Sequence, residues 1–401
     1  MSRGERNMKK TVFSFVLAAI LVLATISTAR PELRCGWWVD LSDKPKLQTW
    51  ATDYGLNFVH LNWALDGYIE APAWYSIANI RAFLDEAQKY GIVSSISISR
   101  VAFGGVNDTV FSTFVNGLKD HPALWGWYIG DEPELYSGNH QNLQHYYPLC
   151  KQLDPAHVAW IVNSVKVATS YADVTDLYAI NMYPRSSSSL EFGDLWLRQS
   201  YDFWKTSYDL AKTNSKLPFL ILPQGMGAGY LKYGDMTINE LRYHVFTIVV
   251  QGIDKILLWT HTESNDTMKA RGNQTIKQIM EIKGEMENGT TNSGLTVSQP
   301  ATNLTYRYGV KGTSHVILAV NIANRGSASG LTLSNVRFTL PTGIRPSQVE
   351  VLNEGRTLPV TNGVFTDTFS KFAVHVYRFV AGTAHTLSAP TGLRVVDNSQ
   401  R

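Results

Sequence analysis

Between residues 34 and 287 the chain alternates eight times between short apolar runs and stretches in which apolar residues recur at helical spacing. The runs fall at 34–39, 57–63, 92–98, 124–130, 157–163, 176–182, 218–224 and 254–260. Helical spacing is read at 43–54, 76–90, 107–120, 139–153, 191–213, 237–251 and 272–287, with a weak fifth stretch near 165–172. Strands that are apolar throughout belong to parallel sheets covered on both faces. Eight such units in about 250 residues is what a (β/α)8 barrel requires, and a doubly wound sheet seldom repeats so regularly. The fold class expected is therefore α/β, a (β/α)8 TIM barrel over 30–290, followed by a small all-β sandwich domain.

The sandwich is expected over 291–382, where short alternating runs at 306–310, 315–321, 336–340, 349–352 and 373–379 are separated by Gly, Asn, Pro and Ser turns. Residues 383–401 read as a linker and the start of a truncated fibronectin type III-like module. Residues 1–29 read as a signal peptide: Arg3, Arg6, Lys9 and Lys10 precede an apolar run at 12–24, and Ser27-Thr28-Ala29 supplies small residues before a cut at Arg30. That run is short of the roughly 20 apolar residues a spanning helix needs. The expectation is a secreted or periplasmic bacterial protein, with no membrane association after signal cleavage. Cys35 and Cys150 fall on different sides of such a barrel, too far apart to bridge, and two free thiols are expected.

In a barrel of this kind chemistry is carried at the carboxyl ends of the strands. Reading those ends gives Asp40, Asn62 and Asp66, Ser99 and Arg100, Asp131 and Glu132, Asn163, Asn181 and Tyr183, Gln224, then His261 and Glu263. A structural barrel carries a few such residues as caps. So polar a series, interleaved with Trp38, Trp63 and Trp259, fits a cleft for a polyol. A net charge of +3 with no basic block beyond the N-terminus gives no support for a nucleic-acid partner. There is no P-loop, GxGxxG, HExxH, CxxC pair or GxSxG, so neither a metal nor a cofactor is expected.

The fourth run, LWGWYIGDEPE at 124–134, ends in two adjacent carboxylates and a proline that lacks the N–H to continue a ladder. Taken alone, such a pair is more often a cap or a structural ion pair than a catalytic acid. With GWYIGDEPE, the sixth-strand ending INMYPR, the eighth strand GIDKILLWT and a trailing sandwich, residues 34–380 resemble the retaining TIM-barrel glycoside hydrolases of clan A. The resemblance implies that Glu132 is the acid/base, that Tyr183 orients a nucleophile, and that the partner is a carbohydrate substrate. Trp38, Asp40, Asn62, Arg100, Asn181, Tyr183, Gln224 and Trp259 are then the expected sugar-binding residues. Trp125, Trp127 and Asp131 are expected to raise the pKa of Glu132. An Arg100–Asp131 ion pair is the bland alternative for that arginine. His60 and His261 are more often hydrogen-bonded core or rim residues than ligands.

Two positions depart from the clan. Asp131 stands where Asn precedes the acid, and Gln224 stands where the nucleophilic Glu ends the seventh strand. An amide cannot form the glycosyl ester of double displacement. Three alternatives stay open at this point. Another carboxylate, Glu263, Asp40 or Asp66, acts with Glu132. Or Asp131 and Glu132 serve a substrate-assisted reaction of the hexosaminidase kind. Or the barrel binds carbohydrate without cleaving it.

Overall fold

The computed structural model describes residues 32–164, 169–184, 190–214, 220–225, 227, 234–290, 294–323 and 332–381. The expected signal peptide at 1–29 and the expected linker at 383–401 lie outside the described residues. Eight strands, β1 Arg34–Val39, β2 Phe58–Leu61, β3 Val93–Ser97, β4 Leu124–Asp131, β5 Val158–Asn163, β6 Leu177–Met182, β7 Leu220–Pro223 and β8 Lys255–Leu258, pair in parallel in chain order. Pairing of β1 with β8, Arg34 opposite Lys255 through Trp37 opposite Leu258, closes the barrel.

Alternation along each strand divides the apolar side chains between two compartments. Trp38, Phe58, Tyr128, Trp160, Val162, Leu177, Ala179 and Leu257 fill the barrel interior. Trp37, Trp127, Ile129, Ile161, Ile180 and Leu258 face outward into the larger core beneath the helices. Each fully buried side chain of this size contributes about 1.5–3 kcal/mol through removal from water.

The helices are α1 Leu47–Tyr54, α2 Ala64–Glu70, α3 Ile77–Lys89, α4 Arg100–Phe103, α5 Asp108–Leu118, α6 Asn139–Leu153, α7 Leu190–Thr213, α8 Ile238–Val249, α9 Asp266–Glu281 and α10 Lys283–Met286. Ser76, Asn107, Thr237 and Asn265 cap α3, α5, α8 and α9, each side chain accepting a backbone N–H from the first turn. Short helices α2 and α4, which no helical spacing marks in the sequence, sit on the connections leaving β2 and β3. Helix α9 begins six residues before the expected Gly272, at the cap Asn265. Where the weak fifth stretch was read, the described residues form a 3-10 turn, Thr169–Val174. Cys35 and Cys150 are buried free thiols.

The sandwich comprises β9 Thr296–Val297, β10 Leu304–Lys311, β11 Ser314–Asn321, β12 Leu333–Thr339, β13 Gln348–Val351, β14 Arg356–Pro359, β15 Val364–Phe369 and β16 Val374–Val380. A five-stranded sheet in the order β10-β11-β16-β13-β14 faces a three-stranded sheet β15-β12-β9. Phe338, Phe365, Phe369 and Tyr377 fill the space between them. Val316, Leu318, Val320, Val374 and Val376 join the barrel's own core with Tyr243 and Val249, so one apolar mass spans both domains. At its edge Arg378 bonds Glu281 at 3.1 Å and the Ser314 hydroxyl donates to Glu285 at 2.6 Å.

Candidate active site at the barrel mouth

Strand β4 carries a register shift between Tyr128 and Gly130: Tyr128 pairs with Trp160, Gly130 with Ile161 and Asp131 with Val162. The extra residue, Ile129, makes a bulge. Tyr128 and Asp131, three apart in sequence, therefore share the inward face that strict alternation would deny them. The Tyr128 hydroxyl donates to Asp131 Oδ1 at 2.6 Å. Gly130 sits where a Cβ would meet Ile161 Cγ2 at 3.1 Å and Leu143 Cδ1 at 3.3 Å, so a side chain there would press the strand off its helix.

Glu132 follows with φ 41° and ψ 49°, the left-handed region that a non-glycine residue rarely occupies. Its amide donates to the Val162 carbonyl at 3.0 Å, and Pro133 opens a 3-10 turn to Leu135. Glu134 fastens this turn: it accepts from the Asn163 amide at 2.9 Å, and from the Ser164 N–H at 2.6 Å and hydroxyl at 3.1 Å. The Tyr171 hydroxyl adds a bond to the Pro133 carbonyl at 2.9 Å. Backbone strain at Glu132 is thus held by its surroundings, an arrangement that collects at functional sites.

The Glu132 carboxylate is half-buried and accepts from Asn181 Nδ2, on the inward face of β6, at 2.7 Å. Burial raises its pKa above the ordinary glutamate value. The Asn181 bond pulls it down, and the charges of Asp131 and Glu134 push it up again. Asp131 is open to water yet closely surrounded by protein, the combination expected of a group on a concave floor. Its pKa is raised by that surrounding protein, against the opposing Tyr128 bond. The two neighbouring carboxyl groups both hold protons more tightly than free ones.

The other expected residues divide. Tyr183 stacks on Trp259, centroids 5.1 Å apart at 23°, and both remain half-exposed at the mouth. Asp40, at the end of β1, is half-buried with its pKa raised by burial and then by the charges of Asp43 and Glu263. Glu263 is exposed on the connection after β8. Asn62 is half-buried at the end of β2. These are the strand-end groups that keep access to the cleft.

Several expectations need correction. Trp38 is buried inside the barrel against His60, Tyr128 and Trp160, so it packs the interior and does not meet a sugar. Trp127 faces outward, its indole N–H on Asp154 at 2.8 Å, and Trp125 packs on Phe58 at the barrel's amino end. Neither walls the acid; burial first, then the charges of Asp131 and Glu134, raise its pKa. Arg100 pairs with Asp66 at 3.5 Å and with Glu70, both on α2, so its partner is not Asp131 and Asp66 is engaged. Gln224 is fully buried, Nε2 donating to the Gly234 carbonyl at 3.1 Å, so its side chain is closed to solvent. Asn163 serves Glu134. His60 lies in the interior with its pKa driven well down by burial, and His261 is buried 3.3 Å from Asp43. Tyr128 and Glu134, unremarked in the sequence, set the geometry. A bulge leaves no signature in a continuous apolar run, so nothing marked Tyr128 as inward beside Asp131.

Among the described residues no cluster of three or more His, Cys, Asp or Glu side chains is placed to hold a metal ion, and no helix is long and apolar enough to cross a membrane.

No family model matches the sequence, and no curated protein matches it. Many solved structures do. A GH30 endoxylanase from Clostridium papyrosolvens C71 superposes with a TM-score of 0.52 at 13% identity, covering 88% of this chain and 97% of that one. A glucosidase from Croceicoccus marinus gives 0.54 at 12% identity, over 84% and 92%. A GH27 β-L-arabinopyranosidase from Geobacillus stearothermophilus gives 0.53 at 11%, over 88% and 97%. At such identities the likeness is one of fold, a TIM barrel followed by a β-sandwich.

Proposed function

We propose that this chain is a glycoside hydrolase, exported by its N-terminal segment, that cleaves O-glycosidic bonds in a polysaccharide or glycan with Glu132 as general acid. One observation carries the reading. A carboxyl group at the end of β4 is held in a strained backbone, half-buried, with its pKa raised and one amide donor fixing its orientation. A proton donor to a glycosidic oxygen needs these properties near neutral pH. The fold of the glycosidases above agrees with this reading as analogy.

The second carboxylate assigned in this proposal is Glu263. Strands β4 and β8 stand opposite each other in an eight-stranded ring, so this assignment sets acid and base on opposite sides of the mouth. That wider spacing favours inversion, for which the carboxyl groups lie about 6.5–9.5 Å apart with water between them. Asp40, beside Glu263 on β1, keeps the base in an acidic neighbourhood.

A second reading has an observation of its own. The Tyr128 bond orients Asp131 next to Glu132, as a pair serving a 2-acetamido sugar would need, the acetamido oxygen attacking while Glu132 protonates the leaving group. Assaying the protein and Glu132→Gln against aryl glycosides with and without a 2-acetamido group, and against xylan, mannan and glucans, separates these readings. Activity lost in the variant, with circular dichroism unchanged, supports hydrolysis. Activity confined to the 2-acetamido substrates selects substrate assistance. Carbohydrate binding with no cleavage by either protein sinks the enzyme.

A further inference from the structure

Among the described residues, six of the seven exposed large apolar side chains lie on the connections leaving β2, β3 and β4: Trp63, Ile69, Trp74, Phe103, Leu135 and Tyr136. Scattered apolar residues on a surface need no explanation, but this clustering on one arc of the mouth does. Four of the six are aromatic, and the fold presents them deliberately. Trp63 is 56% exposed at φ 53°, a backbone conformation unfavourable for so bulky a residue. Trp74 is 75% exposed on a turn clamped by Asn79, whose Nδ2 donates to the carbonyls of Ala73 at 3.2 Å and Trp74 at 2.9 Å. Phe103 and Tyr136 meet edge to face, centroids 5.6 Å apart, and join the β3 and β4 connections. Arg100, with its partners Asp66 and Glu70, adds charged hydrogen-bonding groups to the same arc.

Indoles held open to water on constrained backbone add little to the fold; they gain by covering a flat apolar surface. The C–H face of a pyranose ring is such a surface, and its hydroxyl edge suits a guanidinium and carboxylates. Tyr136 stands four residues beyond Glu132, on the far side of the Pro133 turn, so the arc continues from the proposed acid.

We infer that the β2, β3 and β4 connections form a row of subsites, and that the substrate is an extended glycan chain lying over that side of the mouth. The carbohydrate nature of the occupant rests on the proposed function. Its extent rests on the aromatic arc.

The test is calorimetric binding of xylo-, manno- and cello-oligosaccharide ladders to the Glu132→Gln protein, with and without Trp63→Ala and Trp74→Ala. In parallel, kcat/KM on polysaccharide is divided by kcat/KM on an aryl glycoside for the same two substitutions in the parent enzyme. Both tryptophans are exposed, and an unchanged Tm confirms the variants as folded. Affinity that rises with chain length, and falls at least tenfold for the longest ladder member in the variants, supports the row of subsites. So does a tenfold fall in the activity ratio. Affinity that rises with length but ignores both substitutions overturns it. Cleavage of aryl glycosides that depends on Glu132, with no ladder bound at any length, overturns it while leaving the acid assignment standing. Ladder binding that needs the tryptophans, in a protein that cleaves nothing, upholds the arc and fails the hydrolase.

Discussion

Asn181 holds Glu132 from two strands away, the amide of β6 reaching the carboxylate after β4 at 2.7 Å. This bond opposes the two influences that raise the acid's pKa, burial and the neighbouring carboxylates. Removing the donor must therefore raise that pKa further. In Asn181→Ala the basic limb of the kcat/KM profile should move to higher pH, with activity at the optimum down about tenfold as the acid loses its orientation. A limb that stays put would mean that Glu132 is not the titrating acid.

Replacing the acid itself gives a larger effect. Glu132→Gln should lower kcat by about 10²–10⁴-fold on substrates with poor leaving groups, the range that general acid catalysis supplies. Aryl glycosides with strongly acidic leaving phenols should lose far less, because they depart without a proton. Equal losses on both classes would contradict the assignment.

Asp131 carries a stability cost whose sign follows from its raised pKa. The folded state binds this proton more tightly than the unfolded state, so stability declines as pH rises from the ordinary aspartate value through the raised one. Asp131→Asn removes that cost while its side-chain oxygen can still accept from Tyr128. The variant should melt above the parent at pH 7, and the two should converge below pH about 3. Thermal scans across that range decide it.

Gln224→Glu tests whether the missing seventh-strand carboxylate was simply lost. The Gln224 amide donates to the Gly234 carbonyl from a fully buried position, and a carboxylate there would face an acceptor with an acceptor. The substitution should cost about 1–3 kcal/mol in denaturant unfolding and add no activity. A gain in hydrolysis would place the seventh-strand position in the reaction.

Glu263→Gln should abolish turnover if this residue is the base. Azide added to Glu263→Ala should then restore cleavage and yield the glycosyl azide opposite in configuration to the substrate, identified by NMR. Full activity in both variants would remove Glu263 from the mechanism.

The barrel was legible because eight apolar runs mark eight strands, and Ser76, Asn107 and Thr237 announce their helices with side-chain caps. Glu132, Asn181, Tyr183 and Trp259 were legible as strand-end residues. Which way a side chain faces was not. A strand buried on both sides reads as one apolar run, so Trp127 and Trp38 looked available when one points under the helices and the other fills the interior. The partner of Arg100 was hidden for another reason: it comes from α2, a helix too short to show a period. Gln224 could be recognised as an amide but not as a residue sealed from solvent, since that depends on where the backbone of Gly234 passes. Strand β14 escaped because it is only four residues long, and β15 because Thr366, Asp367 and Thr368 interrupt its apolar residues.

The irregularity at Ile129 makes the chemistry of this mouth a matter of parity. Keep every residue but let the strand run regularly there, with Ile129 opposite Ile161, and the last stretch of β4 turns half a revolution: Asp131 swings beneath the helices, its tyrosine loses it, and the acid after it leaves the reach of Asn181. Every amino acid of the site would still be encoded, in the same order, and none would meet.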